Sequence, residues 1–238
     1  VDTIKLGDPS QPITGIVTTF LATCEVIEKA VQRKANLIIA HEPAFYNHLD
    51  KTDWLQNNAV YQAKRHLIEA NNLVVWRFHD YLHSLRPDPV LMGLIQALRW
   101  EEYFQPEKLL CQFPPVTFGE LANTIKTRLN IQTLRVIGDL DMTCHTVGLL
   151  PGFPPTQRQI GVFSQPEVDV LICGEIHEWE TTEYARDASH LRQHKALIIT
   201  GHAASEEPGM RAIIPWLQAR LPDVPIDFIP TGNVFQYL

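Results

Sequence analysis

Long apolar runs, paired cysteines and blocks of basic residues are all missing from this chain of 238 residues. No apolar run approaches the roughly 20 residues that a helix needs to cross a membrane, so no membrane anchoring is expected. Lys and Arg form no dense block and the net charge is −7, which argues against a nucleic acid partner. The four cysteines are scattered without a C-x-x-C pair, so neither a disulfide framework nor a zinc ribbon is expected.

Motifs that bind nucleotide cofactors or carry covalent catalysis are missing as well. Neither G-x-x-x-x-G-K-[ST] nor G-x-G-x-x-G occurs, so neither a phosphate loop nor a Rossmann cofactor site is predicted. Ser205 lies in no nucleophile elbow, and Cys24 and Cys111 have no histidine close by in sequence. Covalent nucleophilic catalysis is therefore a minor hypothesis.

The overall composition is that of an ordinary globular protein. Apolar residues make up 45% of the chain and charged residues 20%, a balance unlike that of disordered chains. We predict a cytoplasmic protein. Because the chain opens at Val1 rather than at a methionine, a removed N-terminal leader is an open alternative.

Short apolar runs alternate with longer amphipathic stretches along the whole chain. Strands are predicted at about 15–20, 36–40, 73–78, 134–137, 146–150, 168–173, 196–200 and 226–229. Helices are predicted at about 23–35, 54–70, 89–100, 117–129, 181–193 and 208–220. This alternation predicts an α/β fold with mostly parallel strands, built as two packed α/β lobes. We place the lobes at about 1–104 and 116–238 of one unit, joined by the Pro-rich stretch 105–115.

Three of the predicted buried strands run directly into ionisable residues. The side chains that follow them are His41, Glu42, His79, Asp80, His83, His202 and Glu206. Because the carboxyl ends of parallel strands line the ligand crevice of an α/β sheet, these side chains are expected to converge. Imidazole and carboxylate together suit zinc, manganese, iron or cobalt, so the pattern predicts a metal site at the strand carboxyl ends. The alternative is that they are ordinary polar residues where strands leave the sheet.

A fourth strand end carries Glu175 and His177, directly after the strand predicted at 168–173. These two residues are candidates for catalytic acid/base groups, or for groups that support the metal ligands. A solvated start of the next helix is the alternative for both. Four other histidines are predicted to lie on the solvated surface: His48, His66, His190 and His194.

The order of these motifs resembles the Nif-three-like dinuclear metal centre family, often named GTP cyclohydrolase I type 2. The matching segments are 1–9, like the family's D-x-x-G-L-x-x-G opening; 36–43, like its strand ending in H-H-P; 78–84, like its H-x-x-x-D segment; 171–176, like its ITGEI strand end; and 201–206, like its G-H-x-x-S-E signature. The resemblance spans nearly the whole chain. The last signature and the strand ending in H-x-P are its specific parts.

The resemblance implies two divalent metal ions per chain, whose identity among zinc, manganese, iron and cobalt stays open. Carried over position by position, the ligands implied are His41, Glu42, His83, His202 and Glu206. One ion would lie on His41, His202 and Glu206, and the other on Glu42, His83 and Glu206, so Glu206 would be the bridge. His79 matches the first histidine of its segment and is expected beside the ligands rather than among them.

Two of these positions depart from the family's common pattern. Glu42 stands where a second histidine is usual, and His83 stands where an aspartate is usual. Since both positions serve the same ion in the family, one imidazole and one carboxylate remain and the ligand charge is preserved. Random decay of a site is not expected to compensate itself, so the exchange favours a working site.

The resemblance also implies an activity and an assembly. It suggests a metal-dependent hydrolase acting on a nucleotide such as GTP or a related small molecule. In such a hydrolase we expect Glu175 or His177, from their position at a strand end, to carry the proton. The alternative from another class is a non-catalytic metal-binding ring that acts as a scaffold, metallochaperone or regulatory partner. A decayed site on an oligomeric domain is the third possibility. The assembly implied is a homohexamer, built as a trimer of dimers.

Overall fold

The computed structural model describes residues 1–236, which divide into two compact units. The first unit contains Val1–Pro89 and the chain from Gly209 onward, and the second contains Val90–Pro208. Each unit has its own sheet and its own core, and each is described by itself. Among the described residues, no helix is long and apolar enough to cross a membrane.

Strands and helices alternate through both units, which confirms the predicted α/β fold. The strands are β1 Ile4–Leu6, β2 Ile16–Thr19, β3 Leu37–Ala40, β4 Val74–Arg77, β5 Phe104–Gln105, β6 Leu110–Thr117, β7 Arg135–Ile137, β8 Thr143–Leu150, β9 Val170–Cys173, β10 Ala196–Ile199 and β11 Ile226–Phe228. The α-helices are α1 Cys24–Gln32, α2 Ala59–Ala70, α3 Asp80–Ser84, α4 Pro89–Leu98, α5 Phe118–Arg128, α6 Thr156–Phe163, α7 Thr181–His190, α8 His202–Ala212 and α9 Ile214–Gln218. A short 3-10 helix covers Asp53–Leu55.

The sheet of the first unit has the order β1-β4-β3-β2-β11. Its strands are parallel except for the edge strand β1, which runs antiparallel to β4. The register sets Thr19, Ala40 and Arg77 level with one another at the carboxyl ends of β2, β3 and β4. Residues that leave these three strands therefore start from one edge of the sheet, where ligands bind in folds of this type.

The core of the first unit explains why these short runs are strands. Val17, Ile38 and Val75 are completely buried at the middle of the three parallel strands. β-branched side chains favour strands, and a strand covered on both faces is apolar at every position. Burial of each such side chain stabilises the fold by about 1.5–3 kcal/mol. Helix α1 begins where predicted, since the Thr23 side chain accepts a hydrogen bond from the Val26 amide.

The sheet of the second unit has the order β5-β6-β8-β9-β10-β7. Strands β8, β9 and β10 are parallel, and Leu150, Cys173 and Ile199 lie level at their carboxyl ends. Strands β5, β6 and β7 pair antiparallel, so parallel pairing is less dominant in this sheet than the sequence predicts. Helix α5 begins with the predicted capping box, in which Thr117 and Glu120 satisfy each other's backbone amides.

The Pro-rich stretch 105–115 differs from the predicted join between lobes, because it lies inside the second unit. It forms the end of β5 and most of β6, and so short a connection as 106–109 permits only antiparallel pairing. Pro114 and Pro115 have no amide to donate, and the ladder between β6 and β8 is interrupted between Gln112 and Val116. The chain crosses between the units instead at residues 89–90 and 208–209.

Two helices differ from the sequence prediction near the candidate site. Helix α8 begins at His202 rather than at Pro208, which lies inside the helix. A proline is best tolerated in the first turn, and that preference led to the wrong start. Helix α3 was not predicted, because its five residues are too few for an apolar period.

Candidate metal centre

Three histidines of the first unit lie together at the carboxyl edge of its sheet. His41 follows β3 directly, His79 comes two residues after β4, and His83 lies one turn further on α3. The ring centroids are 4.6 Å apart for His41 and His79, 5.0 Å for His41 and His83, and 4.9 Å for His79 and His83. One ring nitrogen from each lies within 4.8 Å of the others. This donor set fits a divalent ion such as zinc.

Oxygen acceptors hold each of these three rings by its Nδ1 atom. His41 Nδ1 lies 3.2 Å from the Phe78 carbonyl oxygen, His83 Nδ1 lies 3.0 Å from Asp88 Oδ2, and His79 Nδ1 lies 2.8 Å from Asp80 Oδ1. A nitrogen that faces an acceptor carries the proton, so Nε2 of His41 and of His83 is left with its lone pair, whereas Nε2 of His79 faces the Glu42 carboxylate as well. This is the arrangement that orients histidine ligands in metal sites.

Asp2 fixes the turn that carries His79 and His83. Its carboxylate accepts hydrogen bonds from the backbone amides of His79, Asp80 and Tyr81 at 2.8, 2.9 and 2.7 Å. Burial raises the pKa of Asp2, but the three amide hydrogen bonds outweigh it, so the pKa lies below its usual value. The N-terminal segment therefore serves as the cap of α3, a role that sequence analysis did not assign to it.

Glu42 is adjacent to the three histidines but contacts an arginine. Its Oε2 lies 3.0 Å from Nη2 of the fully buried Arg77, and its Oε1 lies 3.4 Å from Nε2 of His79. Arg77 also donates to the carbonyl oxygens of His41, at 3.1 Å, and of His48. The carboxylate charge of Glu42 is thus compensated by a guanidinium inside the protein.

The environment of His79 favours its charged form. Burial by itself lowers the pKa of His79, but the hydrogen bonds to Glu42 and then to Asp80 outweigh it. The resulting pKa lies above its usual value. A cation at this position, whether a proton or a metal ion, is therefore stabilised by the two neighbouring carboxylates.

The second unit carries its own group of a histidine and two carboxylates. His202 opens α8, and Glu206 follows one turn later on the same face of the helix. His202 Nδ1 lies 3.0 Å from Glu175 Oε2, and its Nε2 lies 3.1 Å from Oε2 of the buried Glu206. Since Nδ1 already donates to Glu175, the Nε2 lone pair can face the Glu206 carboxylate only if a proton or a metal cation lies between them.

A close-packed cradle positions Glu206. A Cβ atom at Gly152 would lie 2.2 Å from Glu206 Oε1, and Gly152 has a φ of +70°, so only glycine fits there. A Cβ at Gly174 would lie 2.3 Å from Ser205 Oγ. Ser205 Oγ accepts the Gly152 amide at 3.0 Å and donates to the His202 carbonyl at 2.7 Å. The ends of β8 and β9 thus press directly against the first turns of α8.

His177 is held by a carboxylate that was not singled out in the sequence. Its Nδ1 lies 2.9 Å from Oε2 of Glu180, which also accepts a hydrogen bond from the Thr156 hydroxyl. The hydrogen bond from Thr156, followed by that from His177, lowers the pKa of Glu180 below its usual value. An ionised Glu180 fixes the proton on Nδ1 and leaves Nε2 of His177 to exchange protons.

The structure places the predicted site residues in two groups. Within the first unit it brings His41, Glu42 and His83 together, and within the second it brings together His202, Glu206 and Glu175. His177 pairs with Glu180 instead of the His202 group. The role of each residue as a ligand or acid/base group stays a prediction.

Three partners of these residues were not predicted from the sequence: Arg77, Asp88 and Glu180. His79, expected to lie beside the ligands, is a member of the histidine group. His79 and His83 have the i, i+4 spacing of one helix face, and His177 and Glu180 have the i, i+3 spacing. Those spacings were the available signal. The pairing of Arg77 with Glu42 depends on strand order, which the sequence does not reveal.

Known proteins match this chain over most of its length. A family model described as Duf34/NIF3 (NGG1p interacting factor 3) matches residues 4–233. The chain is 24% identical over 234 residues to a GTP cyclohydrolase 1 type 2 homolog of Clostridium acetobutylicum, covering 92% of this chain and 81% of that protein. It is 29% identical over 211 residues to a protein of the same description from Vibrio cholerae, covering 85% of this chain and 79% of that protein.

The fold is also found among solved structures. A Bacillus cereus protein related to NIF3 superposes with a TM-score of 0.78 at 16% identity, covering 100% of this chain and 92% of that chain. At that identity the likeness establishes the fold alone.

Proposed function

Because the chain belongs to the Duf34/NIF3 family, we propose that it binds two divalent metal ions and hydrolyses a nucleotide or a related small molecule with them. The observation that carries the proposal is the group of His41, His79 and His83, whose ring nitrogens lie within 4.8 Å of one another. Three imidazoles that are held by their Nδ1 atoms and lie at the carboxyl ends of neighbouring strands form an arrangement typical of metal sites. The names of the relatives, GTP cyclohydrolase 1 type 2 homologs, support a nucleotide substrate.

In the first unit we propose that His79 joins His41 and His83 as a ligand. Glu42, which the family pattern implies as a ligand, is held by Arg77 at 3.0 Å, so a metal ion would compete with a buried guanidinium for it. A carboxylate whose charge is already compensated is a weaker ligand. Coordination by Glu42 itself stays a prediction from the resemblance.

In the second unit we propose His202 and Glu206 as ligands. Glu175 would then be a positioning residue, because its carboxylate accepts from His202 Nδ1 and keeps the Nε2 lone pair directed towards Glu206. The finer assignment, in which the two ions share Glu206, also stays a prediction from the resemblance.

We assign proton transfer in the proposed hydrolysis to His177. When bound, a divalent ion acts as a Lewis acid and lowers the pKa of a coordinated water. The ionised Glu180 holds the Nδ1 proton of His177 at 2.9 Å, so Nε2 accepts a proton and later returns it. The His177 side chain is 41% exposed, which lets it reach a substrate and exchange with solvent.

A panel of nucleoside triphosphates, with and without added zinc, manganese or iron(II), tests this proposal. We expect the metal-loaded protein to hydrolyse at least one of them, and Glu206→Gln to lower the rate at least about a hundredfold. Glu183→Gln is the matched control, because Glu183 lies on α7 and pairs only with surface Arg186 among its described ion pairs. Bound metal without any turnover would instead support the non-catalytic scaffold that is the alternative function.

We propose further that the protein assembles into a homohexamer built as a trimer of dimers, as the family resemblance implies. Tyr46, Leu49 and Val60 of the first unit expose more than half of their apolar side chains, which supports association. Light scattering after size exclusion tests this proposal, and a monomer of 27.1 kDa would contradict it.

A further inference from the structure

Three aromatic rings stack at the surface of the second unit. His177 packs face to face with Trp179, with centroids 4.9 Å apart and an angle of 17° between the planes. Phe153 meets the same imidazole edge-on at 4.8 Å and 90°. We refer to Phe153, His177 and Trp179 as the aromatic cluster. The cluster is a built arrangement, because Glu180 and Thr156 fix the central imidazole.

The aromatic cluster exposes an unusual amount of aromatic surface. The indole of Trp179 is 73% exposed and the ring of Phe153 is 43% exposed. Exposed aromatic groups of this size that lie together mark binding surfaces, because their contact with water is unfavourable. The stack leaves the outer face of the indole open, and a flat face binds a flat partner best.

The position of the cluster relates it to the His202 group of the same unit. Leu150 and Cys173 lie level at the ends of β8 and β9, and the cluster is carried by the segments that follow them. Gly152, next to Phe153, packs on Glu206, and Glu175, two residues before His177, contacts His202. Each of the two segments that carry the cluster is therefore tied to a proposed ligand by a residue close by in sequence.

We propose that the aromatic cluster is a stacking platform for the planar nitrogen heteroaromatic ring of the ligand, such as a purine base. The Glu175 carboxylate in the same segment is 51% exposed and has room to accept more than its hydrogen bond from His202, which favours a ring edge bearing N–H donors, whereas Glu178 is paired with Arg135 at 2.6 Å. The platform sets which ring reaches the His202 group. The role of the platform in turnover rests on the proposed hydrolysis. The binding of a flat ring by the platform does not depend on that proposal.

Guanosine binding to metal-free protein tests the platform separately from the chemistry. The full chain is treated with chelator and titrated with guanosine in a calorimeter, and ribose is the control for the sugar. We expect guanosine to bind and ribose not to bind. Trp179→Ala should weaken guanosine binding about tenfold or more, as expected for the loss of one stacking partner. Phe153→Ala should weaken it less, because Phe153 supports the imidazole rather than the open face.

Trp54→Ala is the matched control, since Trp54 is 67% exposed in the other unit. It should leave guanosine binding unchanged. Equal guanosine affinity of the Trp179→Ala and wild-type proteins would overturn the proposal, and so would failure of the wild type to bind guanosine. Binding of the organic cation choline by a protein that does not bind guanosine would also overturn it. The metal content of Trp179→Ala after reloading should equal that of the wild type. Loss of guanosine binding with normal metal content then identifies a defect of the platform, and loss of metal identifies a defect of the metal site.

Discussion

Arg77 places its Nη2 atom 3.0 Å from Oε2 of Glu42, with the arginine side chain wholly buried and the glutamate 12% exposed. Glu42 puts a negative charge beside the histidine group of the first unit. A buried carboxylate needs a compensating charge, and Arg77, at the end of the neighbouring strand β4, supplies it. Glu42 and Arg77 therefore form a local charge balance.

Removal of Arg77 should destabilise the first unit strongly. Arg77→Met leaves Glu42 buried without its guanidinium and also breaks the hydrogen bond to the His41 carbonyl. We expect the free energy of unfolding to fall by about 3–5 kcal/mol, measured by urea denaturation. In the double variant with Glu42→Gln the loss should be smaller than the sum of the single losses by about 0.5–3 kcal/mol. Strictly additive losses would show that the pair is not coupled.

Substitution of Gly152 should disturb the second unit through Glu206. The Cβ of Gly152→Ala would meet Glu206 Oε1 at 2.2 Å, and alanine is strained at a φ of +70°. We expect a loss of about 1–3 kcal/mol in the free energy of unfolding and a lower metal content per chain.

The control for that variant is Gly161→Ala, on α6 of the same unit. A Cβ at Gly161 meets nothing within 4 Å, so alanine should stabilise the helix by about 0.5–1 kcal/mol and leave metal content unchanged. If both variants kept the metal content of the wild type, the cradle around Glu206 would have no part in metal binding.

The sequence predicts the parallel β-strands and the residues at their ends well, for a physical reason, whereas the antiparallel strands β1, β5 and β6 were not predicted. Buried strands such as β3 and β10 are continuous apolar runs, and a histidine or carboxylate after such a run contrasts with them. The start of α8 at His202 was missed because Pro208 suggested a later start. The contact of Glu42 with Arg77 depends on the order of the strands, which no local pattern encodes. The contact of His177 with Glu180 had a local signal in its i, i+3 spacing, but that spacing alone does not distinguish a paired histidine from a solvated one.

The stability of the first unit should depend on alkaline pH through Lys64. This side chain is 5% exposed on α2 and donates to the Ala44 carbonyl at 2.5 Å. Burial lowers the pKa of Lys64 from 10.5 to about 8, against smaller opposing effects of Cys24 and Asp50. Between about pH 8 and 10.5 the unfolded chain therefore holds a proton that the folded chain has lost, so stability rises with pH.

Lys64→Met removes this dependence. From pH 7.5 to 9.5 we expect the unfolding free energy of the wild type to gain about 2 kcal/mol relative to the variant. Urea denaturation at the two pH values measures the difference. The account of Lys64 is wrong if the difference between the two proteins stays constant or shrinks as the pH rises.

The central claim is that the histidine group of the first unit binds a metal ion. Metal content, measured by mass spectrometry on protein purified without chelator or affinity-tag metal, tests it most directly. The variants are His41→Ala, His79→Ala and His83→Ala, and His66→Ala, on the exposed side of α2, is the control. We predict about two ions per chain in the wild type and the control, and the loss of at least one in each of the three variants. A wild-type protein that holds no ion after loading with zinc, manganese and iron would contradict the claim.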